Sequence, residues 1–146
     1  MDWSRCFPKL NESDLEKLMA VSEQAEFMLG DQIVEEGQQL DHFFVLQEGH
    51  VGIERSLSGG VWAQFINPLE EGDVFGEMSF ISPIQASATL IALTDIQTIS
   101  FPTDKVKKLV AEDDGFAARL YHSFGIVLVN RLMRTNQRTD TFEPRL

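Results

Sequence analysis

Apolar residues change rhythm twice along this chain, and the changes divide it into three parts. From Asn11 to Ala20 (NESDLEKLMA), Leu15, Leu18 and Met19 share one side of a 3.6-residue period, and Ser13 with Glu16 reads as a capping box. That pattern predicts a short N-terminal helix. From Glu26 to Phe101 the runs shorten and grow rich in Val, Ile and Phe: EFML, QIVEE, HFFVLQ, HVGIERS, VWAQFI, DVFGE, ATLIAL and IQTISF. Turn formers separate them at Gly30-Asp31, Glu36-Gly37, Glu48-Gly49, Ser58-Gly59-Gly60, Asn67-Pro68 and Glu71-Gly72-Asp73. Many short strands at even spacing predict an antiparallel β-roll or jelly roll. Gly52, isolated inside a strand run, predicts a bulge or a tight corner.

After Phe101 the period becomes helical. Pro102-Thr103-Asp104 reads as a helix start capped by Thr103 or Asp104, leading into KVKKLVAED, and Asp113-Asp114-Gly115 interrupts it. A longer helix is predicted from Phe116 to Thr135, with Leu120, Phe124, Val127 or Leu128, and Leu132 recurring at three-to-four-residue steps. Ile126 and Val129 make its middle apolar nearly all round, which predicts burial on two sides: one against the roll, the other against a second copy or a protein partner. Arg131, Arg134 and Arg138 near its end suit the negative pole of the helix dipole. The expected organisation is mainly β with flanking α, in a single domain. It comprises an N-terminal helical segment (1–22), a β-roll (23–101), two C-terminal helices (102–137) and a tail (138–146).

Composition narrows the function classes. With 146 residues, 43% hydrophobic and 24% charged, the chain has the make-up of a globular domain. No apolar run approaches the roughly 18 residues that span a bilayer, and MDWSRCFPKL lacks the apolar stretch of a secretory signal. A cytoplasmic location, with no membrane partner, is expected. The lone Cys6 excludes an internal disulfide and suits a reducing compartment. The net charge of −11 is uneven: residues 1–104 hold 18 acidic against 4 basic residues, or −14, and the remainder is +3. A body so acidic repels phosphate backbones, so no nucleic-acid partner is expected. His42, His50 and His122 are scattered, without the His-x-His spacing or paired carboxylates of a metal centre. Neither a G-x-S-x-G elbow nor a P-loop occurs, and Cys6 has no evident base. The reading is a chain that is no enzyme and carries no metal or cofactor.

The most informative stretch is Glu71 to Leu90, EGDVFGEMSFISPIQASATL. A strand ends in Phe75-Gly76-Glu77, a short apolar turn follows (Met78-Ser79-Phe80-Ile81), and a Pro-bearing loop leads to a strand near Ala86. A glycine where strand passes into helix lets backbone approach a ligand, and Glu77 can accept a hydrogen bond from a sugar hydroxyl. The same corner also has a purely structural reading, with Glu77 capping backbone amides or facing solvent.

With its glycine-punctuated strands (GDQIVEEGQQLDHFFVLQEGHVGI), the F-G-E turn and two closing helices, the chain resembles the cyclic-nucleotide-binding domain family. That group includes the catabolite activator protein and protein kinase A regulatory subunits. The resemblance covers roughly Phe7 to Asn136. It implies a pocket at the F-G-E turn, lined by Phe75, Gly76, Glu77, Met78 and Ser79, with the glutamate on a ribose 2′-hydroxyl and cAMP or cGMP as ligand. In that family the F-G-E turn opens a phosphate-binding cassette, and members that bind these ligands read something like P-R-A-A-T-V in its second half. Here Pro83-Ile84-Gln85-Ala86-Ser87-Ala88-Thr89-Leu90 puts Ala86 where the phosphate-gripping arginine stands, with Gln85 and Ser87 beside it. Between Lys17 and Lys105 the sole Lys or Arg is Arg55, so a substitute cation would be Arg55, or Arg119 or Arg131 from the long helix. In the activator branch the long helix forms a dimer seam and precedes a winged helix-turn-helix. With about ten residues left after it here, no DNA-binding domain is expected to follow. The function expected is a regulatory sensor module that binds a cyclic nucleotide or related small anion weakly. The alternative is a degenerate member that binds none and acts as a protein-interaction module.

Overall fold

Strands buried on both faces carry near-continuous apolar runs, and His42–Glu48 (β3) is one of them. In the computed structural model, which describes residues 1–56, 62–64 and 69–141, side chains of β3 alternate between two cores. Phe43 and Val45 join Phe7, Phe80, Phe101, Phe116, Leu120 and Phe124 in a core shared with the helices. Leu46 and Phe44 join Ile33, Val34, Phe75, Ala92 and Ile96 inside the roll.

Two four-stranded antiparallel sheets build that roll. One holds β1 (Glu23–Phe27), β8 (Ile96–Pro102), β3 and β6 (Val74–Phe75), side by side in that order. The other holds β2 (Gln32–Val34), β7 (Thr89–Ala92), β4 (Val51–Ser56) and β5 (Trp62–Gln64). Register aligns aromatic pairs: Phe43 opposite Phe101 with rings stacked at 4.9 Å, and Phe44 opposite Phe75 at 5.0 Å. Such cross-strand pairs pin the register, because a one-residue slip would exchange the two cores. The predicted antiparallel roll, with α1 (Glu12–Ala20) before it and α3 (Thr103–Glu112) and α4 (Asp114–Thr141) after it, is what forms. A five-residue helix, α2 (Glu77–Ile81), is added behind β6.

Several local expectations are corrected. The cap of α1 is Asn11, not Ser13: its side chain accepts the Asp14 N–H at 2.8 Å, and the Asp14 carboxylate accepts the Asn11 N–H at 3.1 Å. Both pairs have the cap spacing, but Asp14 also takes a two-pronged contact from Arg119 of α4, at 2.6 and 2.9 Å, which no local pattern reveals. α3 starts at Thr103 after Pro102, without a side-chain cap. α4 begins at Asp114, with Asp113 accepting the Phe116 N–H, and runs to Thr141, so the expected tail of 138–146 is helical through its first four residues. Gly52 sits in regular register opposite Ile91. The irregularities fall instead at Gln32/Val34 and Leu46/Glu48. A Cβ on Gly52 would come within 3.0 Å of Leu93, so the glycine makes room for a neighbour rather than bending the strand. The turns at Ser58-Gly59-Gly60 and Asn67-Pro68, and residues 142–146, lie outside the described residues. Cys6 is fully buried, and burial pushes its thiol up to about 12, which makes it packing rather than chemistry.

The Asp14 pair makes stability depend on pH. The Arg119 guanidinium, and then the Asn11 N–H, hold the Asp14 carboxyl below its ordinary 3.8. A group lowered in the fold stabilises above its unfolded value, and the contribution is lost as pH falls through the folded value. Urea denaturation should therefore show Asp14→Asn less stable than wild type at pH 7, with the difference shrinking towards pH 3. A difference constant over that range would contradict the assignment.

Candidate functional site

β6 and α2 meet at a corner that demands glycine. Gly76 adopts φ +82°, ψ 0°, and a Cβ there would stand 3.2 Å from the His42 carbonyl oxygen and 3.3 Å from Leu40. The turn sends Glu77 inward, where it is only 1% exposed. A carboxylate so desolvated needs a partner. Arg131, on the face of α4 turned to the roll, donates one guanidinium nitrogen to Glu77 Oε1 and another to the Val74 carbonyl. Burial pushes the Glu77 carboxyl above its ordinary range, and Arg131 pulls the other way. Arg131 therefore belongs to this corner. It stands ten residues before the end of α4, so the expected role at the helix dipole is corrected.

α2 is fastened from its other side. Phe80 packs against Phe43 (5.4 Å) and Phe124 (5.8 Å). Lys107 of α3 donates to the Phe80 carbonyl at 2.7 Å and to the Tyr121 hydroxyl at 3.1 Å, and lies 4.1 Å from the Phe80 ring centroid. One ammonium thus joins α2, α3 and α4. Nothing in KVKKLV distinguishes Lys107 from Lys105 or Lys108, so the sequence held no signal for this contact.

Beside the corner opens a cleft of about 180 Å³, far more than the roughly 10–15 Å³ that one water requires. All eight residues singled out from the sequence line it: Phe75, Gly76, Glu77, Met78, Ser79, Gln85, Ala86 and Ser87. Val34, Ile53, Leu69 and Leu90 add an apolar wall. Ala86 is held in place through its backbone, its N–H donating to the Gln38 carbonyl at 2.9 Å and its carbonyl accepting from Gly37 at 2.8 Å. A methyl group therefore occupies the position that the resemblance gives to arginine. The Ser79 hydroxyl donates to the Ile84 carbonyl at 3.3 Å, while Gln85 and Ser87 are exposed.

Among the described residues, the charged side chains lining the cleft are Glu77 and Arg131, which pair with each other. Of the other candidate cations, Arg119 is committed to Asp14, and Arg55 lies on β4 opposite Ala63, outside the lining. His42 stands 2.7 Å from Asp41. Among the described residues no three His, Cys, Asp or Glu side chains gather as metal ligands, and no helix is long and apolar enough to cross a membrane.

A double sheet closed by helices, with a glycine corner and a buried glutamate lining a cleft, defines a β-roll of the jelly-roll type. Residues 24–113 match the family described as the cyclic nucleotide-binding domain, and the chain belongs to that family of regulatory modules. Human cGMP-dependent protein kinase 2 is 30% identical over 119 residues, covering 76% of this chain and 16% of the kinase. The chain thus spans about a sixth of that relative's length. A cyclic nucleotide-binding domain from Methylobacillus flagellatus shares the fold at a TM-score of 0.84 and 16% identity, covering 99% of this chain and 86% of that one. The catabolite activator protein of Thermus thermophilus does so at a TM-score of 0.78 and 20% identity, covering 94% and 62%.

The Glu77–Arg131 pair is open to a direct test. Arg131→Gln removes the opposing charge, so the Glu77 carboxyl should titrate higher than in wild type, read by carbon-13 NMR of labelled glutamate. The fold should lose about 3 kcal/mol at pH 7, because an unpaired carboxylate stays buried. An unmoved titration would show that the two groups do not interact.

Proposed function

We propose that this chain is a non-catalytic, cytosolic sensor module whose cleft takes a cyclic nucleotide or related small anion weakly. The observation that carries the reading is the left-handed corner at Gly76 opening on a cleft beside an inward-facing carboxylate, in a member of the cyclic nucleotide-binding domain family. Glu77 accepts a ribose hydroxyl, and the apolar wall takes the base.

Weakness follows from Ala86. A hydrogen bond to a charged group contributes about 1.5–3 kcal/mol, and losing one partner of a desolvated charge pair costs about 2–5 kcal/mol. Together these bracket roughly ten- to several-thousand-fold in affinity. The ligand acts on the helices through Arg131, because whatever changes the hydrogen bonds of Glu77 also changes what holds α4 to the corner. That is a population shift driven by differential contacts.

A homodimer through α4 is part of the proposal. Val129, Leu132 and Met133 stand three and four residues apart on that helix and are 58%, 61% and 56% exposed, which forms an apolar stripe in water. The same stripe, with Glu77 already engaged by Arg131, supports the second reading, a module that binds no nucleotide and docks a protein.

Calorimetry with cAMP and cGMP on wild type and Ala86→Arg tests the sensor. Wild type should bind at about 100 µM or weaker, and the variant at least about ten-fold tighter. No heat from either protein would leave the interaction module standing. Light scattering at micromolar concentration should give twice the protomer mass, reverting to one protomer in Val129→Asp/Leu132→Asp. A monomeric wild type would remove the dimer.

A further inference from the structure

We infer that the cleft selects an uncharged ribonucleoside over the corresponding cyclic monophosphate. The inference rests on the reading that this cleft is a ligand site, and it reverses the order of affinity that the family resemblance implies.

The first argument is charge. A cyclic phosphate entering the cleft gives up water, and a buried anion is tolerated only where the site returns charge-assisted hydrogen bonds. Arg131 is the cation lining the cleft among the described residues, and it already neutralises Glu77 and serves the Val74 carbonyl. To turn those two nitrogens onto a phosphate it would have to leave a carboxylate that is 1% exposed, stranding that charge in the interior. Among the described residues no other cation lines the cleft, and Arg55, the sole Lys or Arg between Lys17 and Lys105, lies outside it. The surrounding field is also adverse, with −14 over residues 1–104. α2 is a five-residue helix, so the dipole it turns on a phosphate is smaller than that of a long one.

The second argument is what the cleft does offer. Each of its polar groups suits a neutral partner. Glu77 accepts a sugar hydroxyl while keeping Arg131, so no charge is stripped. Gln85 and Ser87 are exposed at the mouth and can exchange neutral hydrogen bonds with the hydroxyls that a nucleoside has in place of the cyclic phosphodiester. Val34, Ile53, Leu69 and Leu90 face a planar base with apolar surface, whose burial is favourable whatever the charge of the sugar. A nucleoside therefore keeps every favourable contact of the cyclic nucleotide and sheds its unfavourable one.

Calorimetry on the wild-type chain with adenosine, guanosine, cAMP and cGMP reads the preference directly. At least one nucleoside should bind about ten-fold or more tightly than its own cyclic monophosphate, a gap worth one charge-assisted contact. Ala86→Arg, which restores a cation to the cleft, should invert the order. If wild type binds the cyclic monophosphates as well as or better than the nucleosides, the inference is overturned and the cleft remains a ligand site. The same holds if wild type binds no nucleoside while Ala86→Arg takes up cAMP or cGMP. Silence from all four ligands in both proteins overturns this inference and the sensor reading together.

Discussion

Glu77 is a carboxylate taken almost wholly out of water, and the arrangement around the cleft follows from satisfying it. Moving such a group indoors costs several kcal/mol even after relaxation. Arg131 offsets that cost by reaching from α4 to Glu77 and to the Val74 carbonyl at once. The pair binds three things together: the last strand before the corner, the first residue after it, and the long helix. Gly76 makes this possible, since only a residue at ease with positive φ turns the chain so sharply that the next side chain points inward.

That pairing also sets the electrostatic character of the cleft. Two charges that cancel leave a pocket whose remaining walls are apolar side chains and neutral hydrogen-bonding groups, within a body that is acidic. Ala86 adds a methyl group, not a charge, to that lining. Lys107 adds a second fastening on the far side of α2, so the cassette helix is gripped by α3 and α4 at one end and by Arg131 at the other. Glu77 is thus part of a joint rather than an isolated side chain.

Much of this was legible beforehand. The short apolar run HFFVLQ, the turns at Gly30, Gly37, Gly49 and Gly72 and the F-G-E corner all report local geometry, and each appeared as read among the described residues. The eight residues chosen for the pocket line one cleft, because seven of them sit on two short stretches that the corner and the Pro-bearing loop bring face to face, with Phe75 leading into the turn. What was missed has a common cause. Asn11 displaced Ser13 as helix cap with the help of Arg119, 105 residues beyond Asp14. Gly52 answers to Leu93 on a neighbouring strand rather than to a bend of its own. Arg131 read as a helix-end charge because nothing within a turn of it marks a buried partner.

By itself, then, the sequence determined the antiparallel roll with helices before and after it, the family to which the chain belongs and the alanine at position 86. These depend on spacing along the chain, where period, φ preference and residue identity speak within a few positions. Only the tertiary structure decided that the charge of the cleft is already spent on Arg131, that Asp14 is clamped by Arg119 and that Lys107 couples three helices. Each of these joins residues far apart in sequence, and desolvation, which makes such pairs matter, exists only once the chain has closed around them.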